Sequence, residues 1–317
     1  MTSIAADPEM PRNYSFTQLG VSDRDMFIQA WERSFVRVLS QQTYGWIFNG
    51  KNRLYAAFDS NEIAAGYCLY PLEAMVAGKP GRAALCNNVF ADPKHQGKFL
   101  FSRLGRFALQ AAAAEGISLA YGLPNRSALP GHRRVGWKWQ TVPFLARKRD
   151  RPTTRKQDAL HWSQVTPSAA ELAKIEDCSR RSASGRNFSI IKTAEFASWR
   201  FVQRPLAEYW FATIKSHQDV CAYAVAKYFA ERRCLHILDI DGAVAAVEKL
   251  IAAIDTIDAP FDCANLWSST AHRGSFERAG FSLSDESNTL ILIDPTTLKG
   301  LAIESGLNLA LADNDVY

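Results

Sequence analysis

The sequence predicts an α+β (mixed α/β) fold built as two tandem lobes, each a mixed, mainly antiparallel sheet flanked by helices. Three observations carry this. Apolar periodicity alternates between helical spacing and short strand-like runs along the whole chain. The order helix, strands, helix, strand, short helix, strand occurs twice, which reads as a weak internal duplication. Between the two series lies Arg147–Asp158 (RKRDRPTTRKQD), a charged, Pro-containing stretch that interrupts the periodicity on both sides. The expected division is residues 1–148 as the first lobe, 149–158 as a linker and 159–317 as the second lobe.

In the first series, Asp23–Leu39 carries Phe27, Ala30, Trp31, Phe35 and Val38 at helical spacing. Arg53–Phe58 and Ile63–Pro71 read as a hairpin around the turn residues Asp59, Ser60 and Asn61, and Arg82–Phe90 reads as a further strand. Lys98–Glu115 is an amphipathic helix with Leu100, Leu104, Phe107, Ala108 and Ala111 on one face, stopped by Gly116. Ile117–Leu123 is a strand, a short helical or looped segment follows, and Trp139–Lys148 closes the lobe.

In the second series, Ser168–Ser179 reads as a helix. Tyr209–Lys215, Val220–Phe229 and Arg233–Asp239 read as strands. Ala243–Ile254 is a helix burying Val244, Val247, Leu250 and Ile251. Cys263–Trp267, Arg273–Ala279 and Asn288–Ile293 complete the order as strand, short helix and strand.

Composition excludes several classes. With 47% hydrophobic and 22% charged residues in 317, the chain can bury a sizeable core and is not a disordered protein. A net charge of +5 is mild for this length; it suits an anionic small molecule at least as well as nucleic acid, and no nucleic-acid partner is expected. No apolar run approaches the length of a membrane span, and Met1–Arg12 lacks the apolar core of a signal peptide. The six cysteines show no metal-ligand spacing, so no metal is expected, and free thiols in a cytoplasmic setting are the simplest reading.

The informative run is Leu85–Leu104, LCNNVFADPKHQGKFLFSRL. A strand ends at Phe90, a turn holds Asp92, Pro93 and Gly97, and a helix begins near Lys98. The first amides of such a helix lack intrahelical partners, and together with its dipole they form an anion site. Lys98, Arg103 and Arg106 add positive charge, so the turn suits a pyrophosphate. The run resembles the coenzyme-A loop of the Gcn5-related N-acetyltransferases (GNAT), Pro-x-x-Arg-Gly-x-Gly-x-Gly-x-x-Leu. Pro93, Gln96, Gly97 and Leu104 fit it, Lys98 and Leu100 stand at its free positions, and Phe99 and Phe101 replace small residues. A second similarity lies in NRSALPGHRRVGW, where Asn125, Ala128, His132, Gly136 and Trp137 follow the family's Asn-x-x-Ala-x-x-x-Tyr-x-x-x-Gly-Phe. Tyr121–Asn125 and Trp199–Arg200–Phe201 resemble segments of members acting on amino sugars in surface-polysaccharide synthesis.

The resemblance implies an N-acyltransferase using acetyl-CoA or another acyl-CoA by direct transfer to a small-molecule amine. The acceptor it suggests is an amino sugar, free or nucleotide-linked. A peptide, polyamine or antibiotic amine is the alternative acceptor, a non-catalytic coenzyme-A-binding or scaffold protein the alternative class, and a homo-oligomer is left open. Main-chain groups of Asn88, Val89 and Phe90 would hold the pantetheine arm. Gln96, Gly97, Lys98, Phe99, Leu100, Phe101 and Arg103 would surround the pyrophosphate, with Asn125 also toward the cofactor. His132 stands at the family's tyrosine and would protonate the departing thiolate, or is a surface histidine; Arg133 and Arg134 beside it would depress its pKa if close. Asn87 and Asn88 would orient the acceptor or a water, or simply satisfy a strand end. His95, Glu73 and Asp92 are the candidate bases for the amine, and Cys86 reads as a buried structural thiol. Trp199, Arg200, Tyr209, Trp210 and Trp267 could stack on a base or sugar, or pack the core. The second lobe lacks an equivalent phosphate turn, since Asp239 and Asp241 would repel phosphate there.

Overall fold

The computed structural model describes residues 14–149, 160 and 162–314. The first series runs β1 (Ser15–Gln18), α1 (Arg24–Phe35), α2 (Gln41–Ile47), β2 (Arg53–Asp59), β3 (Glu62–Val76), β4 (Lys79–Ala91), α3 (Leu100–Ala114), β5 (Leu119–Gly122), α4 (Leu129–Val135) and β6 (Lys138–Lys148). The second runs α5 (Ala169–Ala183), β7 (Phe188–Ile190), α6 (Ala194–Ala197), β8 (Trp210–Ser216), β9 (Asp219–Phe229), β10 (Cys234–Gly242), α7 (Val244–Ala252), β11 (Cys263–Trp267), α8 (Arg273–Arg278), β12 (Ser282–Asp294), β13 (Lys299–Gly300) and β14 (Leu307–Asn308). The mixed α/β class read from the sequence is the class observed. Most of the 149–158 segment read as a linker lies outside the described residues.

Each series contains an antiparallel meander, a helix on its face and then a strand parallel to the last of the meander. β4 pairs parallel with β5 across α3, and β10 pairs parallel with β11 across α7. The two sheets join into one, ordered β1-β2-β3-β4-β5-β12-β6-β11-β10-β9-β8. The closing strands are exchanged: β6 runs antiparallel to β11, while the C-terminal β12 lies between β5 and β6. Leu290, Ile291, Leu292 and Ile293 of β12 are all fully buried, as expected of a central strand covered on both faces.

The core follows this layout. One cluster lies under α3, with Leu104, Ala108 and Ala112 against Tyr67, Leu69 and Ile291. Another lies under α7, with Val247, Leu250 and Ile251 against Leu235, Ile237 and Phe276. A third joins the halves through Trp46, Tyr70, Tyr121, Phe188, Tyr223, Trp267 and Leu290. Each large apolar side chain that this shared cluster removes from water contributes about 1.5–3 kcal/mol, so the cluster helps hold the halves together. Local signals set the helix ends. Ser168 and Glu171 form a reciprocal capping box at α5, and Ser40 caps α2 through Thr43 N. Among the described residues no helix is long and apolar enough to cross a membrane.

Candidate functional site

The site begins with a defect in β4. Gly66 pairs with Phe90 and Cys68 with Asn87, so Asn88 and Val89 together face the single residue Tyr67. Asn88 takes φ +48°, in the left-handed region that asparagine tolerates better than most residues. Its Oδ1 accepts a hydrogen bond from Trp31 Nε1 at 3.1 Å. Gly66 is required opposite, because a Cβ there would fall 2.3 Å from the Phe90 ring and 2.7 Å from Phe27. A bulge of this kind frees backbone groups from the ladder and redirects them.

The same point is where the sheet opens. Parallel pairing of β4 with β5 runs from Ala83–Leu119 to Cys86–Gly122 and ends there. Beyond it lies a cavity of about 730 Å³, with Asn87, Asn88 and Val89 on one wall and Leu123, Asn125 and His132 among the residues opposite. Trp31, Arg37 and Trp46 from the α1–α2 arm line it, as do Arg204, Ile291 and Asn314 from the second series. Asn87 Oδ1, Asn88 Nδ2 and His132 Nδ1 are buried polar atoms without a protein partner, which marks this as a place for a polar ligand.

The turn before α3 is built on two left-handed residues, Gly97 (φ +80°) and Phe99 (φ +57°). The helix therefore starts at Leu100, not at Lys98 as the sequence suggested. Arg103 N reaches Phe99 O, leaving the amides of Leu100, Phe101 and Ser102 without intrahelical acceptors. Gln96, Gly97, Lys98 and Phe99 are exposed and do not line the cavity, so an anion can approach them from solvent. Phe99 lies at the surface with the Arg134 guanidinium 5.7 Å from its ring centre. Phe101 packs edge-on to His132 at 4.8 Å and Tyr67 at 6.2 Å. Gly131 makes room for it, since a Cβ there would sit 2.6 Å from Phe101. The two bulky departures from the family loop are thus accommodated. Arg103 extends over Phe16, its guanidinium 5.0 Å from that ring's centre. These residues and the bulge fit a coenzyme-A-like ligand, with free amides at one end and an open strand edge at the other.

Several expected roles change. His132 is not a surface histidine; it is buried among Phe101, Tyr67 and Trp137. That burial pushes its pKa down to about 3, so at neutral pH it is an uncharged imidazole and not an imidazolium donor. The two arginines beside it are not the cause: Arg133 lies over Trp139 and Arg134 over Phe99. His95 is buried away from the cavity, its Nδ1 3.1 Å from Tyr14 Oη and 3.8 Å from Asp59. Asp92 caps the turn at Lys94 N and meets Arg33 Nε at 3.3 Å. Glu73 pairs with Arg180 at 2.8 Å and lines a separate cavity. None of the three bases proposed from sequence faces the bulge, because each is used to hold a turn or a surface. Phe90 packs on Phe27 with ring centres 5.2 Å apart and supports the bulge from behind. Asn125 lines the cavity, but its Oδ1 accepts from Ala128 N and Ser127 Oγ and so starts α4. Among the described residues no group of three or more His, Cys, Asp or Glu side chains is placed to hold a metal ion.

The aromatic triplet of the second series is structural. Trp199 stacks between Tyr70 (4.5 Å) and Trp46 (5.3 Å), and the two tryptophans exchange indole N–H bonds to each other's carbonyls at 2.7 and 2.9 Å. Arg200 is wholly buried and donates to Ala312 O and Asn314 O. Tyr209 and Trp267 are core residues. The triplet acts at one remove, holding Trp46 and Asn314 at the cavity. The sequence reading missed Trp46, Arg37, Arg204 and Asn314, since their convergence depends on the join between the halves.

Residues 16–140 match the acetyltransferase (GNAT) domain family. That stretch is a GNAT acetyltransferase domain. Structures of similar fold extend past that domain. A probable N-acyltransferase from Enterococcus faecalis superposes with TM-score 0.72 at 12% identity, over 90% of this chain and 73% of that one. A GCN5-related N-acetyltransferase from Anabaena variabilis gives 0.71 at 14%, over 90% and 74%. Eis1 from Mycobacterium abscessus gives 0.65 at 13%, over 90% and 74%. At these identities the likeness is one of fold, and it spans both series of strands. No curated protein matches the chain by sequence. The bulge, the opening between β4 and β5 and the turn before α3 all lie in the GNAT domain, and the chain is an acyltransferase.

Proposed function

We propose that the protein transfers an acetyl group from acetyl-coenzyme A directly to the primary amine of an amino sugar. The observation that carries the reading is the bulge at Asn88–Val89, which sits where β4 and β5 part and beside buried polar atoms lacking partners. The pyrophosphate is received by the amides following Gly97, with Lys98 close by. The pantetheine arm adds to the free edge of β4 as an extra strand, and a bulge amide points at the thioester oxygen as charge develops there. One such preorganised donor is worth about 10²–10³ in rate.

Acyl transfer requires an uncharged amine. Among the described residues no carboxylate lines the cavity, and the acceptor is assigned no resident base. It enters neutral or loses its proton to water. His132, kept neutral by burial, orients the departing sulfur by hydrogen bonding, and as the C–S bond breaks the proton shed by the newly acylated nitrogen ends on that thiolate. Proximity of amine and thioester supplies the rest of the acceleration. Trp31 and Phe35 offer apolar contact to a sugar ring, and Asn87, Asn88 and Asn314 offer neutral hydrogen-bonding groups.

Two measurements test the proposal. Calorimetry with acetyl-coenzyme A should show saturable binding. Thiol release over a panel of amines should then show turnover with hexosamines. Absence of acetyl-coenzyme A binding by folded protein refutes the enzymology, whereas turnover confined to peptides or polyamines refutes the acceptor.

A further inference from the structure

Resting on the coenzyme-A reading above, we infer that Arg134, laid over Phe99 at the start of α3, receives the ribose 3′-phosphate of coenzyme A and makes the protein discriminate against the dephospho form. The free amides of Leu100, Phe101 and Ser102 serve the pyrophosphate only. Coenzyme A carries a further phosphate on the adjoining ribose, and holding that group takes a second cationic site next to the turn. Phe99 immediately precedes the free amides, and the Arg134 guanidinium lies 5.7 Å from its ring centre.

Arg134 stands apart from the basic residues around it. Arg103 is spread over Phe16 with its guanidinium 5.0 Å from that ring's centre. Arg106 Nη2 donates to Arg134 O at 2.7 Å, which pins the end of α4 against α3. Arg133, its neighbour in α4, covers Trp139 of β6 at 3.7 Å. Arg134 itself is exposed, and among the described residues no carboxylate pairs with it. Phe99 is also exposed, at 64%, and holds a left-handed φ of +57°, which a bulky residue adopts at a cost. Neither burial nor local preference accounts for a phenylalanine there. A platform for the guanidinium does, since an arginine over an aromatic face keeps its in-plane N–H donors free.

The approach to the turn is open, because a side chain at Gly97 would meet nothing within 4 Å. The family loop supplies neither member of the pair. Phe99 stands where that loop has a small residue, and Arg134 falls at a free position between His132 and Gly136. The pair therefore adds to what the loop amides provide. A guanidinium offers a fork of N–H groups that matches two phosphate oxygens, and exposure to solvent makes the contact worth less than a buried one. It acts on cofactor affinity and leaves the transfer step to the bulge.

The test is calorimetry on the full chain with coenzyme A and with 3′-dephospho-coenzyme A. The wild type should bind coenzyme A about 5- to 12-fold more tightly, between the worth of an exposed ion pair and that of a charge-assisted hydrogen bond. Arg134→Gln should weaken coenzyme A binding by that factor and bring the ratio to about one, with the dephospho form bound within about twofold of wild type. Phe99→Gly keeps a residue at ease at φ +57° and should remove about 2- to 5-fold of the preference, the worth of an exposed cation–π contact. Arg133→Gln should retain the preference in full. Equal affinity of the wild type for the two ligands overturns the inference and leaves the coenzyme-A reading standing. An equal loss for both ligands in Arg134→Gln with wild-type melting overturns it too, as does disappearance of the preference in Arg133→Gln. Failure of folded wild-type protein to bind either ligand refutes the coenzyme-A reading, and the inference with it.

Discussion

Asn88 separates backbone from side chain as the source of catalysis, and two substitutions divide the roles. Asn88→Gly keeps a residue free to occupy φ +48° but removes the Oδ1 that accepts Trp31 Nε1 at 3.1 Å. Loss of that hydrogen bond costs about 1 kcal/mol, and more if the indole N–H finds no water. Asn88→Val removes the same bond and adds the left-handed penalty of about 1–2 kcal/mol, worsened by β-branching. The sum of about 2–3 kcal/mol exceeds what a short bulge can hold, so the strand should return to regular pairing opposite Tyr67 and withdraw the free amide. With turnover measured by thiol release, Asn88→Gly should keep kcat within about threefold and Asn88→Val should lose about 10²–10³, the worth of one oxyanion donor. Urea denaturation should place the valine variant about 1–2 kcal/mol below the glycine variant. Equal loss of kcat in both would assign the chemistry to the side chain. Undiminished kcat in Asn88→Val, with the stability loss present, would refute the bulge amide as the donor.

Further outcomes follow from the charges. Because no carboxylate among the described residues lines the cavity, kcat/KM should rise with pH through the acceptor's own ammonium pKa and shift with it across a series of amines; a limb fixed near pH 6.5 in every acceptor would contradict this. His132 is neutral when folded and ordinary when unfolded, so its contribution is complete above about pH 6.5 and is lost as pH falls toward about 3. At roughly 1.4 kcal/mol per pH unit this amounts to at most about 5 kcal/mol, and His132→Phe should flatten that part of the acid-stability curve. Lys192 Nζ meets Asp313 at 2.7 Å with both side chains buried, so Lys192→Met should cost about 3–5 kcal/mol by denaturation and raise KM through the adjoining Asn314. Cys234 and Cys263 are register partners on β10 and β11 with sulfurs 2.8 Å apart, and mild thiol oxidation should link them first, as peptide mapping would show.

What the sequence made legible was local. The turn before α3 could be read because a Pro-x-x-Gln-Gly run before an amphipathic helix has few other conformations available, and Phe99 moved the helix start by only two residues. The bulge could not be read, although an Asn-Asn pair inside the apolar run Leu85–Phe90 was a usable signal, since asparagine is the residue most able to enter the left-handed region there. The helix expected over Asp23–Leu39 stops at Phe35, and a second helix starts after Ser40, whose capping side chain was visible in the sequence. The break at Val36 opposes local preference and is imposed by packing, which is why periodicity ran through it. His132 shows the same limit for chemistry: its position was legible and its charge was not, because the aromatic cage that neutralises it comes from β3, α3 and the residue before β6.

The strand exchange explains why the second series matters to a site founded in the first. β12 lies between β5 and β6 and brings Ile291 to the wall of the cavity. The residues leading out of β12 then return past Tyr121, whose Oη donates to Asp313 O, and Arg200 holds Ala312 O and Asn314 O from the other side. Three buried anchors thus fix the position of Asn314, a residue more than two hundred positions from the bulge it faces across the cavity. The acyl-group end of the site depends on backbone geometry within β4, and the acceptor end depends on side chains supplied across the join. Substitutions in the second series should therefore alter the choice of amine before they alter the handling of the thioester.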